Sequence, residues 1–227
     1  MSCLFKTSEL KETKVEQYIN TLINEPAITA ESKYLFYKKA GKWLLEQDDS
    51  TVSISLIIRF LEMSLTLKPD QTNTWHYFAI ANSKCIDILE KNHSEQQMGN
   101  LLKNAFKGFV KTISSADSSS GKYVIQDLLK LMDLWFTYGD TKEIKEQIPE
   151  AIETIKVKEW LLIVTHIISR IEMGSEDIRE STKTLLLTIA KENPQALIFP
   201  LLLARSSTVP QRTKVANKIL LQMAESH

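Results

Sequence analysis

Apolar residues recur at helical spacing along most of this 227-residue chain, and only short breaks separate the helical stretches. In the first stretch Leu10, Val15, Tyr18, Ile19, Leu22 and Ile23 share one face at about 3.6 residues per turn, until Pro26 ends it. A half-buried strand needs alternation at every second residue, which this spacing does not supply. Six glycines and six prolines are too few for a turn-rich β architecture. The expected fold is therefore all-α.

Helices are predicted over 29–45, with Tyr34, Leu35, Tyr37, Ala40, Gly41 and Leu44 mostly inward, and over 50–67, before the Lys68-Pro69 break. The two make a helix hairpin. A second hairpin is predicted from 71–91 and 94–115, its second helix opened by a capping box at Ser94 and Gln97. The Ser-rich stretch 114–121 has the composition of a joint, and the amphipathic segment 123–138 follows it.

Gly139 suits the left-handed position that closes a helix, and Asp140 through Glu143 offer a cap and an acidic first turn for the next. Gly174 and Ser175 repeat that signal. Helices are expected over 141–154, 158–173 and 175–191, then from Pro194 and Pro210, which suit first helical positions, with Asn193 and Thr208 as caps. Thr208 with Gln211 reads as a capping box, and Pro200 inside the last apolar run is expected to kink or split its helix. Hairpins recurring about every 35–45 residues make an α-solenoid of antiparallel helix pairs the expected architecture, with a compact bundle as its competitor.

Composition narrows the function. Lys+Arg and Asp+Glu each total 28, so no net field draws the chain to nucleic acid or an anionic membrane. The longest apolar runs fall far short of the roughly 18 residues a membrane span needs, and the start lacks a signal-peptide pattern, so an intracellular soluble protein without membrane insertion is expected. Cys3 and Cys85 provide neither a disulfide framework nor a C-x-x-C pair.

Catalytic chemistry finds no constellation. The isolated glycines build no phosphate loop, and the elements of a phosphoryl-transfer site are missing. His76, His93, His166 and His227 form no metal-ligand pair, and Cys85 lies about 13 Å from His76 along one helix axis, so a structural cysteine is expected. Catalytic, metal and cofactor residues are thus expected to be absent. Trp43, Trp75, Trp135 and Trp160 sit among aliphatics and are expected in the core, not as stacking platforms for bases. Two lysine rows, Lys33, Lys38, Lys39 and Lys42 and then Lys103, Lys107 and Lys111, read as solvated helix faces; Lys38, Lys39 and Lys42 are kept as a candidate anion patch.

Trp75-x-x-Phe78-Ala79 resembles the first helix of a tetratricopeptide hairpin and Ala105-x-x-x-Phe109 its partner, at a wider separation than a regular repeat. The run NTWHYFAIANSK, holding Trp75 and His76, is also similar to a segment of the FAT region of target-of-rapamycin kinases, of the phosphatidylinositol-3-kinase-related group. YKKAGKWLLEQ precedes it, and DLLKLMDLWFTYGD, with Leu134, Trp135, Phe136 and Gly139, follows in the same order as in that family. KEWLLIVTHIISRIE with Trp160, NPQALIFPLLLARSS with Pro194, Gln195, Ala196, Phe199 and Pro200, and KVANKILLQMAESH with Asn217 complete the resemblance.

The resemblance implies a noncatalytic scaffold: degenerate tetratricopeptide-like hairpins over 1–117 and a HEAT-like part over 118–227, with Leu134, Trp135, Phe136, Trp160, Phe199 and Pro200 setting its shape. It implies as partners the kinase domain of the same parent polypeptide, which would begin beyond a rapamycin-binding segment after AESH, and the other subunits of a TOR complex acting in nutrient and growth signalling. A cytoplasmic location, and endomembranes reached through the complex, follow from it. So does inositol hexakisphosphate as a ligand of basic residues, although Asn73 stands where a basic residue often precedes the Trp-His pair, and the insert after that helix is short, at 91–97. A free-standing helical-repeat adaptor for proteins or peptides is the alternative.

Overall fold

The structure is a computed structural model that describes residues 21, 28–46, 54–91, 98–115 and 123–226. Among them every regular element is helical and none is a strand, so the all-α class holds. The expected helix around Leu10–Ile23, the capping box at Ser94, the Ser-rich joint and the short insert lie outside the described residues. Two compact units divide the chain, Met1–Gly108 and Phe109–His227.

In the first unit, α1 (Ala30–Glu46) packs on α2 (Ile54–Leu67), and both pack on α3 (Thr72–Lys91). Helical spacing turns Tyr37, Leu44, Leu45, Leu56, Ile57, Phe60, Leu61 and Phe78 into one shared core. The turn between α2 and α3 is pinned where Trp75 Nε1 donates to the Pro69 carbonyl at 2.6 Å and Tyr34 Oη donates to Gln71 Oε1 at 3.2 Å. α4 (Met98–Ser114), whose residues up to Gly108 belong to this unit, lays Gly108 against Ala79, so the tetratricopeptide-like Ala79 lies where two helix backbones meet.

In the second unit, α5 (Val124–Tyr138) leads to two short helices, α6 (Lys142–Lys145) and α7 (Ile148–Thr154). A single helix was expected here. Pro149 has no N–H to give and its ring would press on the carbonyl four residues back, so the chain turns at Glu146–Gln147 and restarts. The helix expected over 158–173 is also broken, into α8 (Val157–Trp160), a 3-10 turn (Leu161–Ile163) and α9 (Val164–Ser169). Its β-branched run at Ile163, Val164, Thr165, Ile167 and Ile168 favours helix weakly, and burial of Trp160, Ile163 and Val164 settles the path.

Three longer helices close the unit: α10 (Glu176–Glu192), α11 (Pro194–Arg205) and α12 (Pro210–Ser226). α11 packs on α9, α10 and α12, and α12 also packs on α10. Pro200 does not split α11, which runs through it as one element. The first bond of α12 runs from Thr213 N–H to the Val209 carbonyl, so Thr208 lies outside the helix and the expected capping box is not formed. Asn193 does hold the position before α11 but makes no side-chain cap.

Candidate functional site

Two apolar constellations stand out in the second unit, one inside it and one on its surface. Inside, the fully buried rings of Trp135 and Trp160 meet edge to face, 6.3 Å between centroids at 85°. Trp135 Nε1 donates to Ser181 Oγ at 3.2 Å, and Ser181 Oγ donates to the Ile178 carbonyl at 2.9 Å, so the pair is anchored to α10. Leu134 is buried beside them, and Phe136 is half-buried under the Arg170 guanidinium, which also pairs with Asp133 at 3.0 Å.

The corner after α5 fits tightly onto the start of α10. Gly139 has φ −60° and not the left-handed conformation expected of it; what it supplies is space, since a Cβ there would lie 2.4 Å from the Trp135 carbonyl and 2.9 Å from Ile178 Cγ1. Gly174 does take the left-handed conformation, at φ +77°. Asp140 was expected to cap the next helix, but its carboxylate accepts from Ser175 Oγ instead. Ser175 Oγ in turn accepts the Ile178 N–H at 3.3 Å as the cap of α10, and Lys145 pairs with Asp177 across the corner. Hydrogen bonding to Asp177 raises the Lys145 ammonium, and the bond from Arg179 lowers the Glu176 carboxyl.

On the surface, α11 buries Leu197, Leu201 and Ala204 and turns Ile198, Phe199, Leu202 and Leu203 outward. Phe199 is 74% exposed and Leu203 67%. Of the neighbouring positions picked out in sequence, Gln195 is exposed, whereas Pro194, Ala196, Pro200 and Asn217 are half-buried. Arg212 holds α12 in place, its guanidinium reaching Glu172 Oε2 at 3.0 Å and Oε1 at 2.6 Å and the Ser169 carbonyl at 2.6 Å. Glu172 correspondingly raises Arg212. Glu180 receives Lys183 and, at 3.6 Å, Lys218, and the Lys183 hydrogen bond holds its carboxyl below the usual range.

The first-unit candidates sit on α1 and α3. Lys38 donates to Tyr34 Oη at 3.0 Å, Lys42 pairs with Glu46 at 3.7 Å and lies over the Tyr77 ring, and Lys39 faces solvent. His76 is buried with its ring 5.2 Å from that of Tyr77, and half-buried Trp75 lies under Lys107. Trp43, assigned to the core in sequence, is 61% exposed, because the inner face of α1 is already filled by Tyr37, Gly41, Leu44 and Leu45. Half-buried Cys85 has its thiol pushed up by burial, which disfavours the reactive thiolate. Among the described residues no three His, Cys, Asp or Glu side chains gather as a metal site, and no helix is long and apolar enough to cross a membrane.

Sequence reasoning missed the outward face of α11. Its signal was legible: an amphipathic helix alternates with polar positions, whereas 196–204 is apolar on every side, which a helix covered on only one face does not need.

The chain matches the family model described as FAT domain over residues 2–133, and over 143–227 the model described as serine/threonine-protein kinase ATR-like, HEAT repeats. The latter accords with the solenoid class expected of the helix pairs. The serine/threonine-protein kinase TOR of Oryza sativa subsp. japonica is 28% identical over 174 residues, covering 76% of this chain and 7% of that protein. The kinase tor1 of Schizosaccharomyces pombe is 27% identical over 192 residues, and TOR2 of Saccharomyces cerevisiae 28% over 217, covering 82% and 80% of this chain. This chain spans only 8% of the length of either yeast protein.

Proposed function

Because this chain belongs to the FAT-domain family and its relatives are TOR-type serine/threonine kinases, we propose that it is the noncatalytic helical scaffold of such a kinase, positioning a kinase domain borne on the same parent polypeptide. The observation that carries this reading is α11. One of its faces is locked into a packed core and the other presents four large apolar side chains, the arrangement of a rigid element built to receive another body. A scaffold acts through geometry: holding kinase lobes in one arrangement governs substrate access without touching the phosphate. The same reading makes the other subunits of the parent complex partners and the cytoplasm the compartment.

The parent transcript tests the reading. A reading frame that joins this segment to kinase lobes supports it, and a frame without them sinks it in favour of the adaptor. At the protein level, a kinase-domain polypeptide encoded in that frame should bind the 227-residue chain, and Phe199→Ser combined with Leu203→Ser should weaken binding by about tenfold or more.

A further inference from the structure

Three hydroxyl side chains in a row, Ser206, Ser207 and Thr208, follow Arg205 in the connection from α11 to α12, and the structure uses them differently. Ser206 Oγ donates to the Leu202 carbonyl at 3.2 Å, and Ser207 Oγ accepts the Val209 N–H at 3.2 Å. Thr208, left outside the helix it was expected to cap, is exposed, and its hydroxyl makes no hydrogen bond among the described residues. Of the three, only Thr208 offers a hydroxyl that is both in water and unengaged.

Arg205, three residues before Thr208, is exposed and makes no ion pair among the described residues. The same Arg-x-x-Thr spacing recurs at Arg179 and Thr182, where it is built into the fold: Thr182 is 1% exposed and donates to the Ile178 carbonyl at 2.7 Å, and Arg179 is held by Glu176 at 2.7 Å. At Thr208 the spacing is presented instead of packed. Val209 precedes Pro210, whose ring disfavours the helical conformation in the residue before it, so residues 206–209 stay outside both helices.

We propose that Thr208 is a phosphorylation site for an arginine-directed serine/threonine protein kinase whose carboxylates read Arg205. Protein kinases select acceptors by the charge pattern around the hydroxyl, and a guanidinium meets a carboxylate through two parallel hydrogen bonds. Thr208 Oγ1 attacks the γ-phosphorus of ATP, the bond from that phosphorus to the bridging β,γ-oxygen breaks, ADP leaves, and the hydroxyl proton passes to the catalytic aspartate of the modifying kinase. The product adds a charge of about −1.5 to −2 at pH 7, just before the positive N-terminal end of α12, where the fold tolerates it. Scaffold and adaptor present the same connection, so this site does not depend on which of them the chain is.

The full 227-residue chain, incubated with the catalytic subunit of cyclic-AMP-dependent protein kinase and Mg-ATP, should take up phosphate chiefly on Thr208, as peptide mass spectrometry maps it. Thr208→Ala should abolish that uptake, and Arg205→Ala should slow it by about tenfold or more; circular dichroism checks that both surface variants stay folded. A synthetic peptide spanning 202–213 serves as the unfolded acceptor. Phosphate on Ser206 or Ser207 in place of Thr208 overturns the proposal, as does a rate unmoved by Arg205→Ala. Uptake by the peptide but not by the folded chain overturns it too, since the connection would then be closed to a kinase, and so does uptake by neither. The parent protein recovered from growing cells treated with phosphatase inhibitors should carry phosphate on Thr208. Recovery of that peptide only in its unmodified form would mean that cells do not use the site.

Discussion

The Trp135–Trp160 joint and the outer face of α11 are both made of large apolar side chains, and they are used in opposite ways. At the joint both rings are fully buried, the Trp135 N–H reaches Ser181 and the Gly139 backbone lies against Ile178, with the buried Trp160 N–H left without a hydrogen-bond partner among the described residues. On α11 Phe199 and Leu203 lie mostly in water and Ile198 and Leu202 are only partly covered, and the helix is held from behind by Leu197, Leu201 and Ala204. Apolar composition therefore does not distinguish core from contact surface here. What distinguishes them is whether the packing of neighbouring helices has already been completed without the residue in question.

The comparison breaks most visibly at the joint. Trp160→Ala removes a fully buried ring from a close-packed site and should destabilise the second unit by about 3–5 kcal/mol. Urea unfolding followed by circular dichroism measures it, and a loss below about 1 kcal/mol would mean that the two rings are not jointly packed. Gly139→Ala comes next. Its Cβ has nowhere to go between the Trp135 carbonyl and Ile178, so a loss of about 1–3 kcal/mol is expected even though the backbone there is one alanine ordinarily favours.

These two positions also mark what was legible in sequence. The all-α class, the hairpin of α1 with α2 and the packing of Trp135 and Trp160 all follow from local spacing of apolar residues, which each segment carries by itself. Trp43 defeated the same logic, since spacing identifies an apolar position but not whether another helix arrives to cover it. Gly139 was read as a conformational requirement and proved to be a spatial one, a distinction that depends on Ile178, far away in sequence. The Asp140–Ser175 and Arg212–Glu172 contacts join residues 35 and 40 positions apart, and no local pattern announces such pairs.

Acid should loosen the polar ties while sparing both apolar constellations. The Glu176 and Glu180 carboxyls are held below their ordinary range when folded, so their contribution is fully present above the unfolded glutamate value of about 4.3 and is lost as pH falls through the lower folded values. The urea midpoint of the chain should therefore drop on acidification below that value, and Glu180→Gln should make the drop smaller. Both groups are well exposed, so the effect is modest beside that of Trp160→Ala. An unchanged acid slope in Glu180→Gln would remove the Lys183 and Lys218 ties from the account.

The smallest expected change in stability is the most telling one. If Phe199 were a displaced core residue, replacing it with serine would cost as much as other large-to-small changes in a core, on the order of 3 kcal/mol or more. Its ring is 74% exposed, so Phe199→Ser should instead leave the urea midpoint within about 0.5 kcal/mol of the parent, and the less sticky surface should make the chain more soluble. A large loss of stability would show that Phe199 completes the packing of its own unit, and the contrast between joint and face would collapse. A small loss together with weakened kinase-domain binding would mean that selection kept an aromatic ring in water for something other than folding, the single property that separates a docking face from a core.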